Sequence, residues 1–280
     1  MKAILKIELS RAFRGKNFII TVILGSIITM VHFILYTLPM AVPAGVTAQN
    51  YTGLYPPTVF NEWIGGQGLF LTATLYFFVL PLIASIPYGD SYYLENKSGY
   101  TKNIFLRIDK KYYFISKYIA VFLSAGTAIT IPLLLNLMVT MATFPSVFPD
   151  INAPVFMMSS SCMWASMFYS APYGYIFSYL LLDFVFSGLF ATISLVAGLW
   201  MHHHLGVLLA PFLFFLIIYF TINFMSIYFQ FLNTLNPGAF LNPTPVIDGI
   251  TLAPILMEMV LLFCFTFFVY VREGIRREVF

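Results

Sequence analysis

Six apolar stretches follow one another along the chain and alternate with polar or mixed connections. They cover residues 18–38, 68–88, 118–144, 174–200, 205–229 and 250–271. A transmembrane helix needs about 20 predominantly apolar residues. The pattern therefore predicts an all-α integral membrane protein with six transmembrane helices, organised as a single transmembrane domain over residues 1–280.

Composition excludes the soluble and the disordered classes of protein. Hydrophobic residues make up 60% of the chain and charged residues 9%, whereas a soluble globular chain carries about 45–50% apolar and about 25% charged residues. One aqueous core cannot hide so much apolar surface. The first apolar stretch is also longer than the core of a signal peptide, which has about 7–15 residues, so we expect a retained first span.

The distribution of positive charge predicts the orientation of the chain. All 14 Lys and Arg residues lie before span one, between spans two and three, or after span six, at positions 2–16, 97–117 and 272–277. Basic residues concentrate on the cytoplasmic side of membrane proteins, so we expect both termini in the cytoplasm. The segments assigned to the outer side, 41–67, 145–172 and 232–248, contain no basic residue and carry three acids, Glu62, Asp150 and Asp248.

The outer segment before span six is predicted to be broken or re-entrant. It contains two strong helix breakers, Asn236-Pro237-Gly238 and Asn242-Pro243-Thr244-Pro245, on either side of an apolar patch. Irregular backbone at membrane depth is stable only where protein or water satisfies its polar groups. We therefore expect short pieces of structure packed against the bundle here.

Motifs for enzyme chemistry and metal binding are missing from the sequence. It has no G-x-x-x-x-G-K-[ST] phosphate loop and no H-E-x-x-H metalloprotease motif. Three successive side chains diverge around a helix, so we interpret the run His202, His203 and His204 as an interfacial turn and not as a metal site. Cys162 and Cys264 stand in unlike contexts and predict no disulfide framework. We expect a protein that is not an enzyme and carries no metal or cofactor itself.

Residues 1–16 predict a basic amphipathic helix that lies in the membrane interface ahead of span one. Four apolar side chains share one side of this helix: Leu5, Leu9, Ala12 and Phe13. Three basic side chains lie elsewhere around it: Lys6, Arg11 and Arg14. Basic amphipathic helices of this kind bind the boundary between headgroups and acyl chains.

The connection between spans two and three, residues 89–121, has an ordered pattern of acid, glycine, base, turn, aromatic residue and final lysine. The residues that carry the pattern are Asp90, Glu95, Gly99, Lys102, Lys110, Tyr113 and Lys117. We expect the chain to break at Gly99 and to pass a basic turn near Asp109 before a helix re-enters the membrane. A basic loop with snorkelling lysines would explain the sign of the charge but not this order.

This order resembles the cytoplasmic connection of the permease subunits of ATP-binding-cassette exporters of the type 2 class. Those permeases carry an acid, a glycine followed by a base, a short turn, a basic–aromatic pair and a lysine that opens span three. Here the turn Arg107-Ile108-Asp109-Lys110 lacks the proline that is usual in the family. The six spans, the basic first helix and the broken segment before span six agree with the resemblance.

The resemblance implies the following partners and location. The chain would be a transport subunit in a bacterial cytoplasmic membrane, within the lipid bilayer, with a second permease copy or paralogue. Two copies of a separate ATPase would bind ATP and Mg, and no nucleic acid would take part. Residues 91–105 would form the coupling helix, with Glu95 and Lys102 as exposed charges, and residues 202–204 would form a second cytoplasmic contact.

The resemblance also implies a transport pathway between spans two and five. Candidate lining residues are Phe77, Phe78, Phe215, Tyr219 and Met225. Because these side chains are apolar and span five is aromatic on all sides, the expected cargo is hydrophobic or amphipathic, a class that includes peptides. The expected mechanism is alternating access driven by ATP, a two-state change biased by a ligand.

Two acids, Asp183 and Glu258, fall inside predicted spans four and six. An acid in a membrane should face protein or water, because burying it costs about 2.5–3.5 kcal/mol on insertion scales. Asp183 begins a helix face of small residues with Ser187, Ala191, Ser194 and Gly198, which favours a neutral acid at a helix contact. The alternative is a stand-alone secondary transporter or channel that uses both acids as proton or cation carriers. A third alternative is a membrane scaffold that transports nothing.

Overall fold

The computed structural model describes residues 2–41, 57–149, 162–243 and 250–276. These residues form helices joined by turns, and none of them belongs to a β-strand, which confirms the all-helical prediction. In chain order the α-helices are α1 (Lys2–Arg14), α2 (Lys16–His32), α3 (Leu38–Ala41), α4 (Val59–Glu62), α5 (Leu71–Ser85), α6 (Ser91–Lys97), α7 (Tyr100–Phe105), α8 (Lys110–Thr143), α9 (Ala165–Ser170), α10 (Pro172–Trp200), α11 (His204–Ser226), α12 (Pro237–Phe240) and α13 (Leu252–Arg276). A π-helical turn, Phe33–Thr37, joins α2 to α3, and a 3-10 helix, Gln230–Leu235, precedes α12.

In the described part of the chain, five helical segments are long and apolar enough to cross a membrane. They are Lys16–Ala41, Lys110–Thr143, Pro172–Trp200, His204–Ser226 and Leu252–Arg276. The second predicted span corresponds to α5, which is apolar but has only 15 residues and rises about 22 Å at about 1.5 Å per residue. The chain is thus a multi-pass membrane protein with five full-length candidate spans and one shorter apolar helix.

Helix α10 is the centre of the bundle and packs against α5, α8, α11 and α13. Glycines bring α8 and α10 close together. A Cβ atom at Gly188 would lie 2.6 Å from the Phe122 ring, and one at Gly126 would lie 2.7 Å from the carbonyl oxygen of Phe184. Small residues at such contacts let helix backbones approach closely in membranes, where van der Waals packing is a main source of association.

The connection that the sequence assigns to the cytoplasm, between the second and third apolar stretches, breaks where the sequence predicts. Helix α6 ends at Lys97, Gly99 adopts a left-handed backbone with φ of 74°, and α7 begins at Tyr100. Helix α8 then begins at Lys110, eight residues before the predicted start of span three at residue 118. Its 34 residues reach about 51 Å, which exceeds the hydrocarbon thickness of about 30 Å. The first turns of α8 therefore belong to the cytoplasmic connection.

The outer segment before span six is broken, as predicted, into the 3-10 helix and the single turn α12. Asn236 caps α12, because its side-chain oxygen accepts a hydrogen bond of 3.0 Å from the backbone N–H of Gly238. The Asn242 amide donates to the carbonyl oxygen of Gly68 at 3.1 Å and ties this end of the chain to the segment before α5. The predicted outer acids Asp150 and Asp248 lie outside the described residues.

Candidate functional site

Helix α1 packs on the first half of α8 and buries a mixed face. The buried side chains are Ile4, Glu8 and Ala12, which are spaced four residues apart and share one side of the helix. The stripe predicted to lie in the membrane interface, Leu5, Leu9, Ala12 and Phe13, is largely a different side of the helix: Ala12 is buried, and the other three are half-buried. An acid lies in the middle of the protein-facing side because α8 supplies a buried cation opposite it.

That cation is Lys117, whose side chain is completely buried although it is a lysine. Its Nζ atom lies 2.6 Å from Oε2 of Glu95 and 3.1 Å from Oε2 of Glu8. The rings of Tyr88 and Tyr113 also face this ammonium, with centroids 5.1 Å and 5.2 Å away. A lysine is stable at such a site only when acids and aromatic faces replace its hydration.

Arg11 and two tyrosines complete the group, which we call the cytoplasmic charge cluster after the side of the membrane to which the sequence assigns it. Its members are Glu8, Arg11, Tyr88, Glu95, Tyr113 and Lys117. Nη1 of Arg11 lies 2.5 Å from Oε1 of Glu95 and 3.5 Å from Oε1 of Glu8. The Tyr113 hydroxyl donates to Glu95 at 2.5 Å, and the Tyr88 hydroxyl donates to Glu8 at 2.8 Å. Two acids and two bases balance, so the cluster has no net charge.

Arg11 is the most exposed member of the cluster, since its side chain is 40% exposed. Burial by itself lowers the pKa of the guanidinium, but the neighbouring Glu95, Tyr88 and Glu8 raise it, and the net direction is upward. Arg11 therefore keeps its positive charge. The cluster joins α1, the turn after α5, α6 and the start of α8 through charged hydrogen bonds, which are stronger than neutral ones.

The seven residues predicted to couple to an ATPase divide into two groups. Asp90, Glu95, Tyr113 and Lys117 are buried within the chain, whereas Lys102 is exposed and Gly99 and Lys110 are half-buried. The prediction that Glu95 is an exposed charge is wrong, because only 5% of it is exposed. A polar residue is expected at the end of the membrane domain, but Glu95 of α6 is covered there by side chains of α1 and α8.

The two predicted cytoplasmic contacts touch each other. His204 Nε2 lies 2.7 Å from Oδ2 of Asp90, and the Tyr93 hydroxyl donates to the carbonyl oxygen of His202 at 2.7 Å. His202 and His203 are exposed in the turn before α11. Among the described residues, no group of three or more His, Cys, Asp or Glu side chains is arranged to hold a metal ion.

Three of the five predicted pathway residues, Phe78, Phe215 and Tyr219, form an aromatic contact between α5 and α11. The Phe78 ring meets the rings of Phe215 and Tyr219 edge to face, with centroids 5.7 Å and 5.8 Å apart. Phe77 and Phe215 are buried inside the single chain, while Met225 is 45% exposed. Phe78, Tyr219 and Met225 are therefore the members of this set that reach the surface of the bundle.

Asp183 is completely buried in α10, on the face of small residues where the sequence places it. Neither carboxyl oxygen has a hydrogen-bond partner among the described residues, and the same is true of Oγ of Ser187. Oε2 of Glu258 in α13 is also buried without a partner in the described part of the chain. An unpaired carboxylate costs far more to bury than a neutral acid, so this geometry fits a protonated Asp183.

Replacing Asp183 with asparagine is therefore expected to leave folding unchanged. Asparagine keeps the size of a neutral acid and adds no charge. We expect the Asp183→Asn variant to match the wild type in folded yield after size exclusion, and in proton permeability when reconstituted in liposomes with a pH-sensitive dye. A wild-type proton flux that the well-folded variant loses would instead make Asp183 a proton carrier.

Three members of the cytoplasmic charge cluster were not recognised from the sequence: Glu8, Arg11 and Tyr88. The available signal was Glu8, which is the only acid in a helix with several basic residues and lies four residues from Ile4 and from Ala12. An acid in line with apolar residues on a helix often marks a buried partner for a cation. The partner itself lies too far along the chain to be identified by spacing.

Comparison with known proteins does not identify the chain. No protein-family model matches the sequence, and no curated protein matches it. The resemblance to the type 2 permeases therefore rests on the order of residues in the cytoplasmic connection and on the arrangement of the apolar stretches.

Proposed function

We propose that the chain is the membrane-spanning permease subunit of an ATP-driven ABC exporter of the type 2 class. In this proposal α5 is a short second span, so that the chain crosses a bacterial cytoplasmic membrane six times with both termini inside. Two copies of a separate ATPase bind ATP and Mg, and a second permease copy or paralogue completes the transporter. The observation that carries the proposal is the cytoplasmic charge cluster.

The cluster supports the proposal because it would transmit movement from the coupling segment to the spans. Glu95 in α6 is held by Lys117 of α8 and by Arg11 of α1, at 2.6 Å and 2.5 Å. A displacement of α6 therefore has to move α8, which crosses the bundle, together with α1. A loop that only anchored the chain at the membrane surface would have no need of buried ion pairs, which are costly to desolvate.

The exposed basic residues next to the cluster are the proposed contact with the ATPase. Lys102 lies on α7 and Arg107 lies in the turn that follows it, and both are exposed. Residues 202–204 contact the start of α6, the helix before α7, through the pair of His204 with Asp90. The ATPase would thus meet a cytoplasmic surface formed from two parts of the chain.

The proposed cargo is a hydrophobic or amphipathic molecule, such as a peptide. The predicted pathway residues that reach the bundle surface are Phe78, Tyr219 and Met225. They are aromatic or apolar and would line a pathway between two permease copies. Aromatic and methionine side chains adapt to irregular apolar ligands. ATP-driven closure of the ATPases would then bias the paired permeases between inward-open and outward-open states.

Reversing the exposed charges tests the proposed contact. We expect the double variant Lys102→Glu with Arg107→Glu to fold normally and to bind the ATPase at least about tenfold more weakly, which corresponds to about 1.4 kcal/mol. Lys111→Glu is the matched control, because Lys111 is also exposed but lies on α8 beyond the proposed contact.

The measurement is co-purification from native membranes, followed by titration of the identified ATPase subunit onto reconstituted permease. The lone permease should hydrolyse no ATP. Two results would count against the proposal: a double variant that binds the ATPase as tightly as the wild type, or transport by the lone chain in ATP-free liposomes. The second result would favour a secondary transporter.

A further inference from the structure

The outer segment 57–70 is held onto the bundle by specific hydrogen bonds. The backbone N–H of Ile64 donates to Oδ1 of Asn136 at 3.0 Å, and the Thr37 hydroxyl donates to the carbonyl oxygen of Glu62 at 3.0 Å. Trp63 is 1% exposed. The segment is therefore docked against two parts of the bundle. One is α2 together with its π-helical turn, and the other is α8.

A chain of polar side chains runs from this segment into α2. The Gln67 amide donates a hydrogen bond to Oε2 of Glu62. Gln67 also lies close enough to His32 to interact with it, and Nδ1 of His32 lies 2.7 Å from the Thr72 hydroxyl. Nε2 of His32 and Oε1 of Gln67 are buried and have no partner of standard hydrogen-bond geometry among the described residues.

The backbone beside His32 is unusual. The α-helix α2 ends at His32, and the π-helical turn Phe33–Thr37 begins with the next residue. Single π-helical turns are rare and occur frequently at functional sites. This one changes the register of the helix between His32 and Thr37, two positions whose side chains bond to neighbouring polar groups.

No basic side chain of the sequence is assigned to this end of the bundle, since all Lys and Arg residues lie in the three segments at 2–16, 97–117 and 272–277. Among the described residues, the titratable groups that face Glu62 or its hydrogen-bonded neighbours are His32 and Tyr36 on the first span, and Tyr173 of α10 against Phe60. From α8 the facing group is Asn136, which does not titrate. An ionised Glu62 therefore has no permanent cation beside it.

We propose that Glu62 and His32, joined through Gln67, form a proton-binding latch that holds the outer segment 57–70 against the first span. With Glu62 protonated, the carboxyl group is neutral and accepts the Gln67 amide while the segment stays docked. When the carboxyl group loses its proton, a buried charge without a cation favours hydration, and the segment loosens. The ligand of this site is the proton, and the site is independent of the proposed ATPase partner.

The pKa of Glu62 supports the proposed latch, in addition to the contacts described above. Burial raises the pKa of the Glu62 carboxyl to about 7, although the hydrogen bond from Gln67 lowers it in part. An exposed glutamate has a pKa of about 4.3, so the docked segment binds the proton more tightly than the undocked one. Docking of the segment is then most favourable below about pH 4 and weakens as the pH rises. It changes little above about pH 7, the pKa of Glu62 in the docked segment.

Fluorescence of Trp63 tests the latch, because this residue follows Glu62 directly. In a chain with Trp164→Phe and Trp200→Phe, Trp63 is the only tryptophan. We expect acrylamide to quench its emission weakly at about pH 5 and more strongly at about pH 9, with a midpoint near pH 7 set by Glu62. Hydrogen–deuterium exchange of residues 57–70 in the unaltered chain, corrected for intrinsic rates, should show the same midpoint.

Two variants separate the latch from other titrations. Glu62→Gln cannot ionise and should keep Trp63 protected at every pH, whereas Glu273→Gln removes a partly exposed acid at the far end of α13 and should leave the midpoint unchanged. The proposal is overturned if protection of the outer segment does not change between pH 5 and 9 by either method, or if the transition persists in Glu62→Gln. If the tryptophan replacements prevent folding, the exchange measurement on chains that keep all three tryptophans decides the question alone.

Discussion

Replacing Lys117 with methionine is expected to lower the free energy of unfolding by about 3–5 kcal/mol, the usual cost of removing one partner from a buried ion pair. Methionine keeps most of the length of the apolar stem. It leaves Glu8 and Glu95 facing each other with only Arg11 to balance them, and Arg11 is partly exposed. Chemical unfolding of the purified protein in detergent micelles measures the change.

The matched control is Lys111→Met, which makes the same substitution on the same helix at an exposed position. Its effect should be about 0–1 kcal/mol, as for other exposed charges. Combining Lys117→Met with Glu95→Gln should cost less than the sum of the two single changes, because the double variant removes the unpaired charge. Equal stabilities of Lys117→Met and Lys111→Met would contradict the cluster as described.

Reversing the charge of Glu95 is expected to be more damaging still. Glu95→Lys would place three cations together, with Glu8 as the only acid, inside a site where Lys117 is fully buried and Arg11 is 2.5 Å from the present carboxylate. We expect little or no monodisperse protein after size exclusion in detergent. Neutral Glu95→Gln should be intermediate, because it keeps the shape and removes one charge.

Lys102→Glu is the comparison for this reversal. It lies in the same cytoplasmic connection and also reverses a charge, but its side chain is exposed, so folded yield should stay close to that of the wild type. If Glu95→Lys folds as well as Lys102→Glu, Glu95 is not buried in the native protein. If Glu95→Lys fails to fold while Lys102→Glu folds normally, Glu95 has a structural role in the cluster. That role is distinct from a role at the proposed ATPase contact.

Features that depend on neighbouring residues were predictable from the sequence. Apolar runs of sufficient length identify the spanning helices, because the bilayer sets their length. Glycine at position 99 and the prolines at positions 237 and 243 mark breaks, because their backbone preferences act locally. The buried position of Asp183 also followed from local spacing, since its small-residue neighbours recur once per helical turn.

Features that depend on distant residues were not predictable. Glu95 is polar and lies in a basic connection, so an exposed position was the natural expectation. Its burial depends on Arg11 and Lys117, which come from other helices. The spacing of hydrophobic residues does not indicate which acids and bases, far apart in sequence, will form ion pairs in the folded protein. The same reason explains why α1 presents Glu8, and not its most apolar stripe, to the bundle.

The early start of α8 has a similar cause. Hydropathy placed the span at residue 118, because Lys110, Lys111 and Lys117 make the preceding residues polar. The helix nevertheless continues through them from residue 110, since Tyr113 and Lys117 make their hydrogen bonds with Glu95 on the same side of the helix. Tertiary contacts thus extend a helix beyond the boundary that lipid alone would set.

The composition of the cytoplasmic charge cluster also bears on how the chain is assembled during synthesis. Glu8 and Arg11 are translated before their partner Lys117, which is made only after the first two apolar stretches. Until Lys117 is made, α1 has no buried cation to receive Glu8, and this acid remains hydrated. Helix α1 is therefore translated before α8 but reaches its final position only after it, so the order of synthesis delays the closing of this end of the bundle.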